Sequence, residues 1–142
     1  MFCYFVPVMK HFLSRLLAGV CVVIIGLTAF PVIAQADSLT GRYQEDVASV
    51  IETLKVAIDV TADNPDRATI TNEARTKIND FASRYRRNGK VSRLSSFTTM
   101  RTALNSLAAH YSAYPNRLVP EKMKVRLLDE FKQAQIALNR GA

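Results

Sequence analysis

The stretch that most limits what this chain can become is residues 97–117, FTTMRTALNSLAAHYSAYPNR. Phe97, Met100, Leu104, Leu107, Tyr111 and Tyr114 recur at alternating spacings of three and four, which draws one apolar stripe down a helix of about five turns. A stripe of that length has to be covered by other elements. Ser95 or Ser96 is expected to cap the start by accepting from a free amide of the first turn. Pro115 should stop the helix, because it disfavours helical geometry at Tyr114. Ala103, Ala108 and Ala113 flank the stripe and are expected to let neighbouring helices approach closely.

Three further helical patterns supply the cover. In the first, Tyr43, Val47, Val50, Ile51, Leu54 and Ile58 share a face, with Glu45 and Asp46 placed for the positive end of the helix dipole and an end expected near Asp59. A turn follows over 61–66, in which Asn64 is expected to cap the second helix and Pro65 to take its first position. The second helix turns Ile70, Ala74, Ile78, Phe81 and Tyr85 inward, and Asn88-Gly89 is expected to end it in the left-handed conformation. Pro120 opens the last helix, whose Met123, Leu127, Phe131, Ala134 and Leu138 keep the helical period until Gly141. Four helices joined by short turns favour antiparallel neighbours, so the expected fold is all-α, an up-down-up-down four-helix bundle. A three-helix core with a loose first segment is the competing arrangement.

The bundle does not account for the first 36 residues. Lys10, His11 and Arg15 form a basic start, residues 16–30 are apolar without a charge, and Ala34-Gln35-Ala36 has the small residues that signal peptidase prefers. A cleaved signal peptide over 1–36 and a bundle domain over 37–142 are expected. An uncleaved membrane anchor is the alternative for this apolar run. Both cysteines of the chain, Cys3 and Cys21, fall inside the signal, so the mature chain would have no disulfide and no thiolate metal site.

The chain carries a formal charge of +7, unevenly spread. Residues 37–80 hold nine acids against five bases, whereas 81–120 hold seven bases, Arg84, Arg86, Arg87, Lys90, Arg93, Arg101 and Arg117, and no acid. In an antiparallel bundle the turn between the second and third helices collects Arg84, Arg86, Arg87, Lys90 and Arg93 at one pole. Asp59, Asp63 and Asp66 belong at the other. Such a field steers and orients association with an anionic surface more than it adds affinity. A solvated basic helix end is the bland account of the same residues.

Catalytic and cofactor constellations are absent from the sequence pattern. His110 is the sole histidine after residue 36, which leaves no His-based metal pair and no haem or triad geometry that needs a second one. A half-exposed helix histidine is expected there. Asp129 and Glu130 are adjacent and point apart on a helix, so with Glu121 they make a poor cation site. No Gly-rich phosphate loop occurs, and the one aromatic inside the basic cluster, Tyr85, belongs to a core stripe, which argues against nucleic acid. No enzyme activity, cofactor or metal is expected. An exported helical module for a small ligand or a metal is the alternative reading.

The run Ser83 to Arg93, SRYRRNGKVSR, then LSSFTTM over 94–100, TALNSLA over 102–108 and YPNR over 114–117 with Pro120-Glu121-Lys122, closely resembles a family of small lumenal photosystem II assembly and repair proteins. Leu39-Thr40-Gly41-Arg42-Tyr43 and Ile78-Asn79-Asp80 are also similar to that family. The resemblance implies a non-catalytic four-helix bundle in the thylakoid lumen. It implies transient binding to immature or damaged photosystem II, chiefly through the large lumenal loop of an inner-antenna chlorophyll protein, with other partners among reaction-centre assembly intermediates. It also implies a role during maturation of the manganese cluster, before the extrinsic oxygen-evolving subunits dock. Cyanobacterial members of the family are commonly lipoproteins with a Leu-x-Ala-Cys box. Here Leu27-Thr28-Ala29 is followed by Phe30, and Cys21 is preceded by the bulky Val20, so no acyl anchor is expected and membrane attachment would run through the partner. A monomer is expected when the chain is free. The candidate partner contacts are Arg84, Arg86, Arg87, Lys90 and Arg93 at the basic pole, Asn105 beside Thr98, Thr99, Thr102 and Ser106, and Tyr114, Asn116 and Arg117 of the YPNR turn. Asn105 reads equally as a helix-surface amide, and Asn116 as a turn former.

Overall fold

The computed structural model describes residues 38–141, and these form four α-helices with no strand among them: α1 Tyr43–Asp59, α2 Arg67–Tyr85, α3 Ser95–Ala113 and α4 Glu121–Asn139. Each helix packs on its neighbour in sequence and α4 closes back on α1, which is the up-down-up-down bundle. Helix α1 is no loose segment: Val47, Val50, Ile51, Leu54, Ala57 and Ile58 are all buried, and the three-helix alternative fails. The core runs the length of the bundle through Ala74, Ile78 and Phe81 of α2, Met100, Ala103, Leu104 and Leu107 of α3, and Leu127, Phe131 and Ala134 of α4. No helix among the described residues is long and apolar enough to cross a membrane.

Several local expectations fail for identifiable reasons. Neither Ser95 nor Ser96 caps α3; both lie inside it, Leu94 precedes it, and Ser96 is fully buried with its hydroxyl 3.0 Å from that of Tyr43. The serine hydroxyl bridges α1 and α3 in place of capping the first turn. Tyr114 leaves the stripe: Pro115 forces it out of helical geometry, φ −135°, and it is 48% exposed. Ala113 is exposed as well, and of the three small residues only Ala103 is fully buried, with Ala108 half-buried.

Pro65 lies in the turn, and α2 starts at Arg67. Asn64 does accept a backbone amide, that of Asp66 at 2.8 Å, but this closes a turn ahead of the helix. Helix α2 ends at Tyr85, before Asn88-Gly89, and Gly89 has no left-handed φ. There Asn88 Oδ1 accepts from the amides of Lys90 and Val91, so a side-chain turn replaces the glycine terminator. The left-handed end occurs instead at Gly141, φ 77°, behind α4.

Candidate functional site

The end of the bundle that carries the α2–α3 turn is built around a buried carboxylate. Asp46, in the first turn of α1, is fully buried. Its Oδ1 accepts from the amide and hydroxyl of Thr40 at 2.7 and 2.8 Å, and its Oδ2 accepts from the amide of Gly41 at 3.0 Å and from the Tyr85 hydroxyl. Burial alone would raise the Asp46 pKa, but these donors outweigh it and hold the carboxyl below its ordinary value. The same burial and the same carboxylate push the Tyr85 hydroxyl well above the usual range for a phenol. Leu39 sits in the core, and Ser38 donates to Asp80 while its carbonyl accepts from Lys77 Nζ at 3.0 Å. The segment ahead of α1 is thus strapped along the last two turns of α2.

Aromatic rings fill the space beneath. Tyr43 meets Tyr85 at 5.2 Å between centroids, Tyr85 meets Phe81 at 5.0 Å, and Phe81 stacks on Phe97 at 6.1 Å. This cluster joins α1, α2 and α3, so the turn above it rests on a packed aromatic base.

On that base Arg84, Arg86, Arg87, Lys90 and Arg93 are all exposed, and the five expected cations do gather at one pole. Arg84 lies over the strap, its Nη1 close to Gly41. Among the described residues, no ion pair involves the side chains of Arg86, Arg87, Lys90 or Arg93. The opposite end is mixed in charge. Asp59 there is paired with Lys124 at 3.5 Å, and Arg67 donates to the carbonyl of Asn116.

Tyr114, Asn116 and Arg117 belong to that opposite end, about 28 Å from the basic pole by the length of α3. Arg117 lies over the Tyr114 ring at 5.2 Å, and the His110 ring is 5.6 Å from it. A broad cleft of about 460 Å³ opens beside Asn116, between the α1–α2 linker and the α3–α4 turn, with Asn64, Arg67, Asn72 and Arg75 in its wall. The candidate residues therefore form two groups and not one site. Asn105 stands between them, exposed on α3.

Asn105 also marks a smaller cleft that the sequence reasoning did not anticipate. Helices α2 and α3 are less closely packed than α3 and α4, and a cavity of about 150 Å³ lies between them. Ile78, Phe81, Phe97 and Leu104 form its floor; Ala82, Arg86, Arg101 and Asn105 form its rim. Arg101 was visible only as one of seven cations. Its place four residues after Phe97 and three before Leu104 is the signal that sets it beside the stripe. Along the neighbouring face Thr98, Thr102 and Ser106 each donate to the carbonyl four residues back, which leaves their oxygens able only to accept. Among the described residues, no group of three or more His, Cys, Asp or Glu side chains could hold a metal ion.

Fold and site define a class: a small all-α four-helix bundle with one basic end and a cleft between two of its helices. The Photosystem II Pbs27 family model matches residues 10–138, and the chain belongs to that family. It is 51% identical over 133 residues to the photosystem II lipoprotein Psb27 of Synechocystis sp., covering 94% of this chain and 97% of that one. The photosystem II assembly factor lipoprotein Psb27 of Thermosynechococcus vestitus is 52% identical over 104 residues, covering 73% and 78%. A solution structure of Psb27 from cyanobacterial photosystem II superposes with a TM-score of 0.70 at 51% identity, covering 75% of this chain and 92% of that one. The crystal structure of PSB27 from Arabidopsis thaliana gives 0.68 at 30% identity, covering 70% and 98%.

Proposed function

We propose that this chain is a non-catalytic photosystem II assembly and repair factor of the thylakoid lumen. It binds immature or damaged photosystem II through the large lumenal loop of an inner-antenna chlorophyll protein while the manganese cluster matures. The observation that carries the reading is family membership along the whole domain, with relatives named as an assembly factor in one organism and a repair protein in another. The acid-free run over 81–120 supports it, because Arg86, Arg87, Lys90 and Arg93 stand exposed at one pole without an ion pair among the described residues, where they can meet an acidic patch on a partner. Residues 1–36 act as a cleaved export signal. With Phe30 where the lipoproteins of the family carry their acylated cysteine, the mature chain has no lipid of its own and reaches the membrane through its partner.

The test is to tag the chain at its C-terminus in its own cells and identify what co-purifies from gently solubilised thylakoid membranes. Antenna and reaction-centre subunits without the extrinsic oxygen-evolving proteins are expected. Recovery of no photosystem subunit from cells actively building photosystems overturns the reading. Reversal of two pole cations, R86E with R87E, should weaken recovery about tenfold and flatten its salt dependence while the helical content stays unchanged. Mass spectrometry of the same preparation should show an unacylated N-terminus at Asp37.

A further inference from the structure

We infer that the cleft between α2 and α3 is a recognition pocket for an apolar side chain flanked by carboxylates on a partner protein segment. The inference rests on the reading of the chain as a docking factor only for who supplies that segment.

One small residue keeps the rim of the cleft low. Both facing stripes keep helical spacing, Ile78, Phe81 and Ala82 on α2 against Phe97, Arg101 and Leu104 on α3, and Ala82 contributes only a methyl group to the rim, which leaves the mouth wider than a longer side chain there would. The resulting volume of about 150 Å³ suits one leucine or phenylalanine side chain and little more. Phe81 and Phe97, stacked at 6.1 Å, give it an apolar floor that does not have to rearrange.

The rim then restricts the occupant. Arg86 directly follows the end of α2 and Arg101 comes from α3, so a guanidinium stands on each side, and among the described residues neither engages an acceptor. Residues 81–120 hold no side-chain carboxylate to neutralise them from within. A purely apolar guest would leave both guanidinium groups partly desolvated and unpaired, which is costly. A guest with an acid on one or both sides of its apolar residue pairs with them bidentately. Asn105, exposed on the same rim, can donate to and accept from the guest's backbone.

The probe is a blocked pentapeptide of sequence SEFDS, presented to the full chain and followed by saturation transfer from protein to the phenylalanine ring protons. Saturable transfer with a Kd on the order of 1 mM or tighter is expected, as befits a single anchor. The amide analogue SQFNS and the anchorless SEADS should each bind at least about fivefold more weakly. Two exposed substitutions, A82L to fill the cleft and R101Q to remove one guanidinium, should do the same with helical content unchanged. Absence of saturable transfer overturns the inference, as does transfer that neither substitution alters. The photosystem reading fails separately: if the native chain recovers no photosystem subunits but binds SEFDS, the pocket stands and that reading falls. Undiminished photosystem recovery by A82L, together with unaltered peptide transfer, sinks the pocket alone.

Discussion

At the scale of single residues, Asp46 decides how the first helix is attached to the second. A carboxylate that accepts from two amides and two hydroxyls while excluded from water links three chain segments, the strap, α1 and α2, at one point. D46N keeps the shape but offers a weaker acceptor and places an NH₂ against donors, so urea unfolding should show a loss of about 2–3 kcal/mol, against about 1–2 for Y85F, which removes one donor of four. The pH dependence follows from the direction of the shift. The folded carboxyl titrates below the ordinary 3.8, so its contribution is complete above about that pH and is lost as the pH falls below it. Unfolding free energy of D46N should therefore lack the part of the acid-side decline that this carboxyl causes. Tyr111 has the opposite character. Burial pushes its hydroxyl up to about 12, with the Arg75 guanidinium opposing, and the buried oxygen has no hydrogen-bond partner among the described residues. A raised phenol pKa contributes stability that is complete below pH 10 and disappears as the pH climbs toward 12. Y111F should remove that part of the alkaline loss and, by deleting an unpaired hydroxyl, raise stability near neutral pH by about 0.5–1 kcal/mol.

At the scale of elements, the helices were legible and their ends were not. Apart from Tyr114, which Pro115 turns out of the helix, the core residues named from periodicity on all four helices are buried or half-buried, because a 3.6-residue period survives any choice of neighbour. Ends depend on what the turn must accomplish in three dimensions. Asn88-Gly89 has the sequence of a helix terminator, yet the turn closes through the asparagine side chain and the glycine keeps an ordinary φ. Gly41, which no local pattern singles out, takes φ 85° because its amide has to reach Asp46 Oδ2. The two glycines should consequently answer alanine with opposite signs. G41A forces a Cβ into the left-handed region and 3.0 Å from Arg84 Nη1, a flexible tip that can yield, so its cost is mainly backbone strain of about 1–2 kcal/mol. At Gly89 a Cβ meets nothing within 4 Å, and G89A should be neutral or stabilising by up to about 1 kcal/mol through the unfolded chain. Thermal unfolding of the pair decides the matter. The site was legible to the same degree. Charge counting placed five cations at one pole and spacing sets Arg101 beside the stripe, but a sequence pattern carries no information on gaps between helices, so the cleft that Ala82 and Arg101 border follows only from the packing of α2 on α3.

At the scale of the whole molecule, the two features on the α2–α3 side should act on different halves of the binding reaction. The pole cations are exposed and lie at an extremity, where a charge acts through solvent over roughly a Debye length and is screened by salt. They should bias diffusional encounter and contribute little once the partner is seated. The cleft is short-ranged: an apolar anchor and a bidentate arginine contact form only at contact and must break before release. Mixed charge at the far end, where Lys124 already pairs with Asp59, gives an approaching acidic surface no comparable place to land. Surface plasmon resonance with immobilised photosystem II assembly intermediates separates the two. R86E with R87E should lower the association rate about tenfold or more at low ionic strength, remove most of its salt dependence, and raise the dissociation rate only as far as Arg86 serves the cleft. R87E with K90E, which spares the rim of the cleft, should change association alone. A82L should leave association and its salt dependence intact and speed dissociation by about five- to tenfold. If A82L instead slowed association, or if R87E with K90E chiefly sped dissociation, steering and seating would not be divided between the pole and the cleft.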